Sequence, residues 1–135
     1  MAAHGSLTLI RFGPSWACAH TMRAVPWLIR DGEVLATLEV AASPAARLRG
    51  LLGRDGFGGA ILIRHARSVH TIGMRFPIDV AFCDRDLRVV DICCAMARYR
   101  VGRPRWKARS VIEAEAGAFE RWRLQPGDQL EIKGP

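Results

Sequence analysis

Lysine is nearly missing from this 135-residue chain. Lys107 and Lys133 are the only two, so the formal net charge of +7 rests on arginine. An arginine bias of this kind often follows genome composition, which makes the charge alone weak evidence for a nucleic-acid partner; its distribution says more than its size. Long hydrophobic runs are missing as well. Charges interrupt every apolar stretch far short of the roughly 18 to 20 residues that cross a bilayer, so a soluble, cytoplasmic protein without a membrane span is expected. The first residues offer no basic start ahead of an apolar segment, and Arg11, Gly13, Pro14 and His20 break up any signal-peptide core. A more protein-like pattern opens at Met22, which leaves residues 1–21 as an expected disordered or non-native leader and residues 22–135 as one domain. The four cysteines, Cys18, Cys83, Cys93 and Cys94, lack the C-x-x-C spacings of a zinc site or a thioredoxin-like motif. Reduced thiols are the expectation.

What is present is a series of short strand signals. Val34, Ala36, Leu38 and Val40 alternate with polar residues, and Asp31-Gly32 ahead of them predicts a hairpin with residues 25–30. Ser43-Pro44 is an N-cap followed by proline at the first helical position; Leu48, Leu51 and Leu52 predict an amphipathic helix packed on the sheet and ending at Gly53. Gly50 would then lie inside a helix, where glycine costs about 1 kcal/mol relative to alanine. A close approach to its backbone is the expected reason. Residues 60–63 read as a buried strand, and after Pro77 the line Ile78, Val80, Phe82 reads as one inward face. A turn at 84–86, a return strand at 87–96, another strand at 110–115, a short helical turn near Trp122 and a last strand after Pro126-Gly127 complete the pattern. With no β-α-β rhythm, these signals predict an α+β, β-rich domain. The expected form is a small, mainly antiparallel barrel or rolled sheet of about six to eight short strands, with one short helix packed on it.

The segments R-L-R-G-L-L-G-R (47–54), S-V-H-T-I-G-M-R-F-P-I-D-V-A-F (68–82), V-I-E-A-E-A-G (111–117) and P-G-D (126–128) occur in this order. Together they resemble the uncharacterised bacterial and archaeal group called domain of unknown function family 192, from about Leu28 to Ile132. The resemblance implies a compact β-rich domain with a shared pocket and no established activity. Its motif positions fall on Arg49, Gly50, Leu51, His70, Thr71, Met74, Phe76, Asp79, Phe82, Glu113, Gly117, Gly127 and Asp128. Ile72 and Ala114 depart from the family's usual residues, and every polar member is retained.

Arg49, His70, Thr71, Asp79, Glu113 and Asp128 are therefore the candidate ligand-binding residues. One arginine, one histidine, one threonine and three carboxylates suit recognition of a polar ligand better than a complete catalytic set. The leading expectation is a binding or accessory domain for an unknown small polar ligand, with a pocket around His70, Asp79 and Glu113. Glu113 interrupts an apolar strand and would need a partner if buried; Arg49 is the expected one. Asp79 and Asp128 each have a structural alternative, in which they accept hydrogen bonds from loop or turn N–H groups. A hydrolase with His70 as general acid or base, oriented by Asp79, is a second possibility. A metal held by His70 and Met74 would need a turn at Gly73, because an extended chain separates them by roughly 13 Å; no metal site is expected. The third class is nucleic-acid binding through the long basic loop 98–109. Arg98, Arg100, Arg103, Arg105 and Lys107, with Trp106, could contact phosphates and stack on bases there.

Overall fold

The computed structural model describes residues 25–134. The proposed leader therefore lies outside the described residues. Asp31 and Gly32 both adopt positive φ, 50° and 79°, as the tight hairpin turn between two right-twisted strands requires. They join β1 (Trp27–Arg30) to β2 (Glu33–Ala41). A bulge between Leu28 and Ile29 shifts the pairing of this hairpin. The expected alternation consequently holds at Leu38 and fails at Val34, which is 52% exposed.

Ser43 caps helix α1 (Pro44–Arg49), its Oγ accepting from Ala46 N at 3.0 Å. The helix stops at Arg49 rather than at Gly53, because Gly50 leaves helical geometry with φ +50°. None of its residues is buried, and Leu48 is 79% exposed. The expectation that Leu48 packs on the sheet is thus corrected: Leu51, in the turn after the helix, is the anchor and is 1% exposed.

After this turn β3 (Ala60–Arg64) runs parallel to β2. The described residues therefore contain a β-α-β unit that the sequence pattern did not predict. All other pairings are antiparallel: β3 with β6 (Ser110–Glu115), β6 with β4 (Ile78–Cys83), β4 with β5 (Val89–Met96), and β1 with both β2 and β7 (Leu130–Lys133). The seven strands lie in the order β5-β4-β6-β3-β2-β1-β7. The sheet rolls without closing. Its edges approach through a bridge between Arg88 and Gln129 and a hydrogen bond from Val89 N to Asp128 O at 2.9 Å.

Strands β3, β4 and β6 are buried on both faces, so alternation divides their side chains between two cores. Leu62, Ala81, Cys83, Ile112 and Ala114 join Leu28, Leu38 and Phe119 in one core. Ile61, Ile78, Val80, Phe82 and Val111 join Leu51, Met74 and Phe76 in the other. Helix α2 (Ala118–Trp122) is a second short helix and covers the first core with Phe119. Among the described residues no helix is long and apolar enough to cross a membrane.

Candidate functional site

Glu113 lies in β6, opposite Ile61 of β3 and Val80 of β4. On that face its strand neighbours belong to the second core. The carboxyl is buried, and loss of water pushes its pKa up to about 7; a backbone hydrogen bond from Leu51 pulls in the opposite direction. The expected partnership with Arg49 does not form: Arg49 is exposed, and Glu113 has no ion pair among the described residues. What approaches Glu113 is Gly50. A Cβ on that glycine would lie 2.8 Å from Glu113 Oε2, which accounts for a glycine in the 47–54 motif.

Glu113 and Gly50 line a small cavity of about 70 Å³, together with Arg47, Arg49, His70 and Met74. His70 is exposed and bridges to Val101. The turn that brings Met74 back toward His70 is closed by Met74 N donating to Thr71 O at 3.1 Å, with Gly73 at φ +80°. Met74 is buried and serves as wall. Beyond the cavity the same face widens into a groove of about 460 Å³. It shares Arg47, Leu48, Ser68 and His70 and adds Pro44, Arg64 and His65. The small cavity is large enough for a polar group or a few waters, whereas drug-sized ligands occupy roughly 300 to 1,000 Å³. A ligand filling both would place one polar end beside Glu113 and its remainder along the groove.

The six candidate residues are not all brought together. Arg49, His70 and Glu113 share the cavity. Thr71 is fully buried; its Oγ1 donates to Ala97 O at 2.6 Å and accepts from Arg100 N at 2.9 Å, stapling the start of the basic loop. Asp79 does not line the cavity expected around it. Its side chain lies on the opposite sheet face, where Oδ1 accepts from Ala95 N at 2.7 Å and Oδ2 accepts from Gly117 N and Phe119 N, both at 3.0 Å. It thereby caps α2, whose first residue follows a glycine with no side chain to do so. Asp79 is accordingly not placed to orient His70. Asp128 accepts from Gln125 N at 2.9 Å and from Arg30 Nη1 at 3.0 Å, tying the last turn to β1.

Sequence reasoning missed Arg47, Ser68 and His65. Arg47 and Ser68 carried a signal, since they lie in the 47–54 and 68–82 segments, whereas His65 lies in neither. Ser68 Oγ donates to Gly102 O at 2.7 Å. Cys83 is unsuited to nucleophilic attack, because burial and the nearby Asp84 charge push its thiol up to about 12. Among the described residues no group of three or more His, Cys, Asp or Glu is arranged to hold a metal.

In the basic loop Arg98, Arg100, Arg103, Trp106 and Lys107 are exposed. Arg105 is turned inward: its Nε donates to Asp91 Oδ2 at 2.8 Å, its Nη1 to Arg103 O at 2.6 Å, and its guanidinium lies 4.4 Å from the centre of the Phe82 ring. These contacts correct its expected place among phosphate-facing cations.

The family model for domain of unknown function family 192, described as "Uncharacterized ACR", matches residues 27–132. No curated protein matches the chain. Two solved structures do. A protein of unknown function from Novosphingobium aromaticivorans is 21% identical with a TM-score of 0.68, over 79% of this chain and 83% of that one. A proposed transcription regulator from Sinorhizobium meliloti is 24% identical with a TM-score of 0.70, over 81% of this chain and 92% of that one. At these identities the likeness is one of fold.

Proposed function

This chain belongs to domain of unknown function family 192, and on that premise we propose that it binds a small polar ligand in the cavity between Glu113 and His70. The observation that carries the proposal is the buried carboxyl of Glu113, which stands at a cavity wall without a cation to neutralise it. Burying a carboxyl in this way is unfavourable, the backbone N–H of Leu51 offsets only part of the cost, and a ligand donor would offset more of it. With a pKa of about 7, Glu113 accepts from an N–H or O–H group of the ligand once ionised. Arg49, Arg47 and His70 surround the opening and orient the outer part of the ligand. Thr71, Asp79 and Asp128 hold the loops and turns that frame the domain. Ligand binding predicts a rise in thermal midpoint with at least one member of a library of polar metabolites, through mass action on the folded state. A midpoint unmoved by every compound contradicts the proposal.

A second reading rests on one further observation. His70 and Glu113 line one cavity and could divide acid and base roles between them. In that case Glu113 replaces Asp79 as the partner of His70. Turnover in a broad hydrolase panel, abolished by His70→Ala, is the outcome that favours it; a background unchanged by the substitution rejects it.

A further inference from the structure

A second polar cleft lies away from Glu113, between the end of β3, the turn after β4 and the start of β6. It measures about 300 Å³ and is lined by Arg64, His65, Arg85, Arg109 and Ser110, with Asp84 as the one carboxylate. Asp84 is committed to its own turn, since its Oδ1 accepts from Asp86 N at 2.9 Å and Arg88 N at 3.0 Å. Three arginines remain against one carboxylate. Ser110 adds a separate observation: it is buried, and its Oγ is the one buried side-chain oxygen or nitrogen among the described residues without a hydrogen-bond partner. A buried hydroxyl left unpaired is unfavourable, and an oxyanion in this cleft supplies an acceptor for it.

Arg109 is held in place from within the protein, its Nη1 donating to Trp106 O at 3.0 Å and Ala108 O at 2.9 Å. A guanidinium carries five N–H donors, so this tether leaves others for a ligand. His65 is fixed at φ +58°, a conformation that non-glycine residues rarely adopt. Arg109 and His65 also line an adjoining cleft of about 450 Å³, whose walls include Arg67, Pro104 and the exposed indole of Trp106. The two clefts share Arg109 and His65 as a common wall. One side presents arginines and a hydroxyl, and the other presents a flat aromatic surface on which a planar base can stack.

We propose that Arg64, Arg85, Arg109 and Ser110 form a site for the phosphate of a nucleotide whose base stacks on Trp106. The phosphate belongs either to a free nucleotide or to one within a single strand, and both sources present the same chemistry to this site. The site lies apart from the Glu113 cavity but shares Arg64 and His65 with the groove beside it, so the two proposals are told apart at Arg85, Arg109 and Trp106, which line neither that cavity nor that groove. Arg109 and Trp106 belong to the basic loop 98–109, whereas Arg64, Arg85 and Ser110 lie outside it.

The test is calorimetric titration of the full chain with adenosine, adenosine monophosphate, inorganic phosphate and an eight-nucleotide single strand. Adenosine monophosphate is expected to bind at least tenfold more tightly than either adenosine or inorganic phosphate. Arg85→Gln, Arg109→Gln, Ser110→Ala and Trp106→Ala should each weaken it several-fold, while Glu131→Gln, at an exposed position of β7, leaves it unchanged. Arg85 is exposed in a turn, so its substitution tests the site without risk to folding. A single strand that binds more tightly than the monophosphate, with an affinity falling steeply as salt rises, identifies the polymer as the source; the reverse order identifies the free nucleotide. Equal binding of adenosine and its monophosphate, or wild-type affinity in Arg85→Gln, overturns the proposal. Inorganic phosphate binding as tightly as the monophosphate also overturns it, because the indole then contributes nothing.

Discussion

Gly50 stands directly over Glu113, so close that a single added methyl group would lie 2.8 Å from Oε2. The contact links helix α1's end to the centre of the sheet and sets the depth of the cavity. Gly50→Ala meets two obstacles, the clash and a φ of +50° with ψ −125°. It is expected to lower stability by about 1 to 3 kcal/mol, read from the shift in urea midpoint at constant slope. A stability equal to wild type would mean that the helix end can move away from the carboxyl.

Burial of Glu113 also predicts a pH dependence of stability. Its pKa rises from 4.5 to about 7 on folding, so between those values the folded chain holds a proton that the unfolded chain has released. Stability is therefore highest below about pH 4.5 with respect to this group, falls as pH rises toward 7, and levels off above it. The shift corresponds to about 3 kcal/mol as an upper figure. Glu113→Gln removes the titration. Urea unfolding across this range should show wild type losing stability relative to the variant as pH rises; parallel curves would place Glu113 in contact with water.

Asp79 carries a different burden. Its two oxygens accept three backbone N–H groups, from Ala95 in β5, from Gly117 and from Phe119 in α2, and Asp79→Ala leaves them unpaired, with Phe119 in the core. A loss of about 2 to 4 kcal/mol is expected, with the fall in thermal midpoint as the readout. Asp79→Asn keeps one oxygen acceptor and should recover part of it. An Asp79→Ala protein as stable as wild type would show that water replaces the carboxylate.

Thr71 and His70 are neighbours with opposite expected phenotypes. Thr71→Val deletes the hydroxyl that bonds Ala97 O and Arg100 N, so it should cost about 1 to 3 kcal/mol and speed hydrogen exchange at the Arg100 amide. His70 is exposed, and His70→Ala should leave stability within about 0.5 kcal/mol. Ligand-induced stabilisation should nevertheless diminish. If both substitutions destabilise the fold equally, His70 belongs to the frame and not to the cavity.

Much of this arrangement was legible in the chain because local rules and tertiary structure agree. Asp31-Gly32 makes the tight turn that its composition predicts, and Ser43-Pro44 starts the helix. The pattern around Gly50 announced a close approach, although the partner is Glu113 and the glycine ends the helix instead of interrupting it. Leu48 misled because helical spacing alone does not say whether a six-residue helix reaches the sheet. The parallel pairing of β2 and β3 was illegible for a related reason: one short helix between two strands leaves the same local pattern whichever way the second strand runs. Asp79 and Glu113 looked alike in sequence, each an acid in an apolar strand. Only the sheet face separates them, with Asp79 meeting backbone donors on one side and Glu113 an open cavity on the other. The missed lining residues Ser68 and His65 lie in irregular backbone after β3, where no periodicity assigns a direction.

The most direct measurement is the equilibrium affinity of the polar metabolite that most raises the thermal midpoint, determined for wild type and for Glu113→Gln at pH 8. Glu113 is then largely ionised and able to accept from the ligand. A loss of at least tenfold, about 1.4 kcal/mol, with folding intact is predicted. Equal affinity in the two proteins would contradict a binding site built around Glu113.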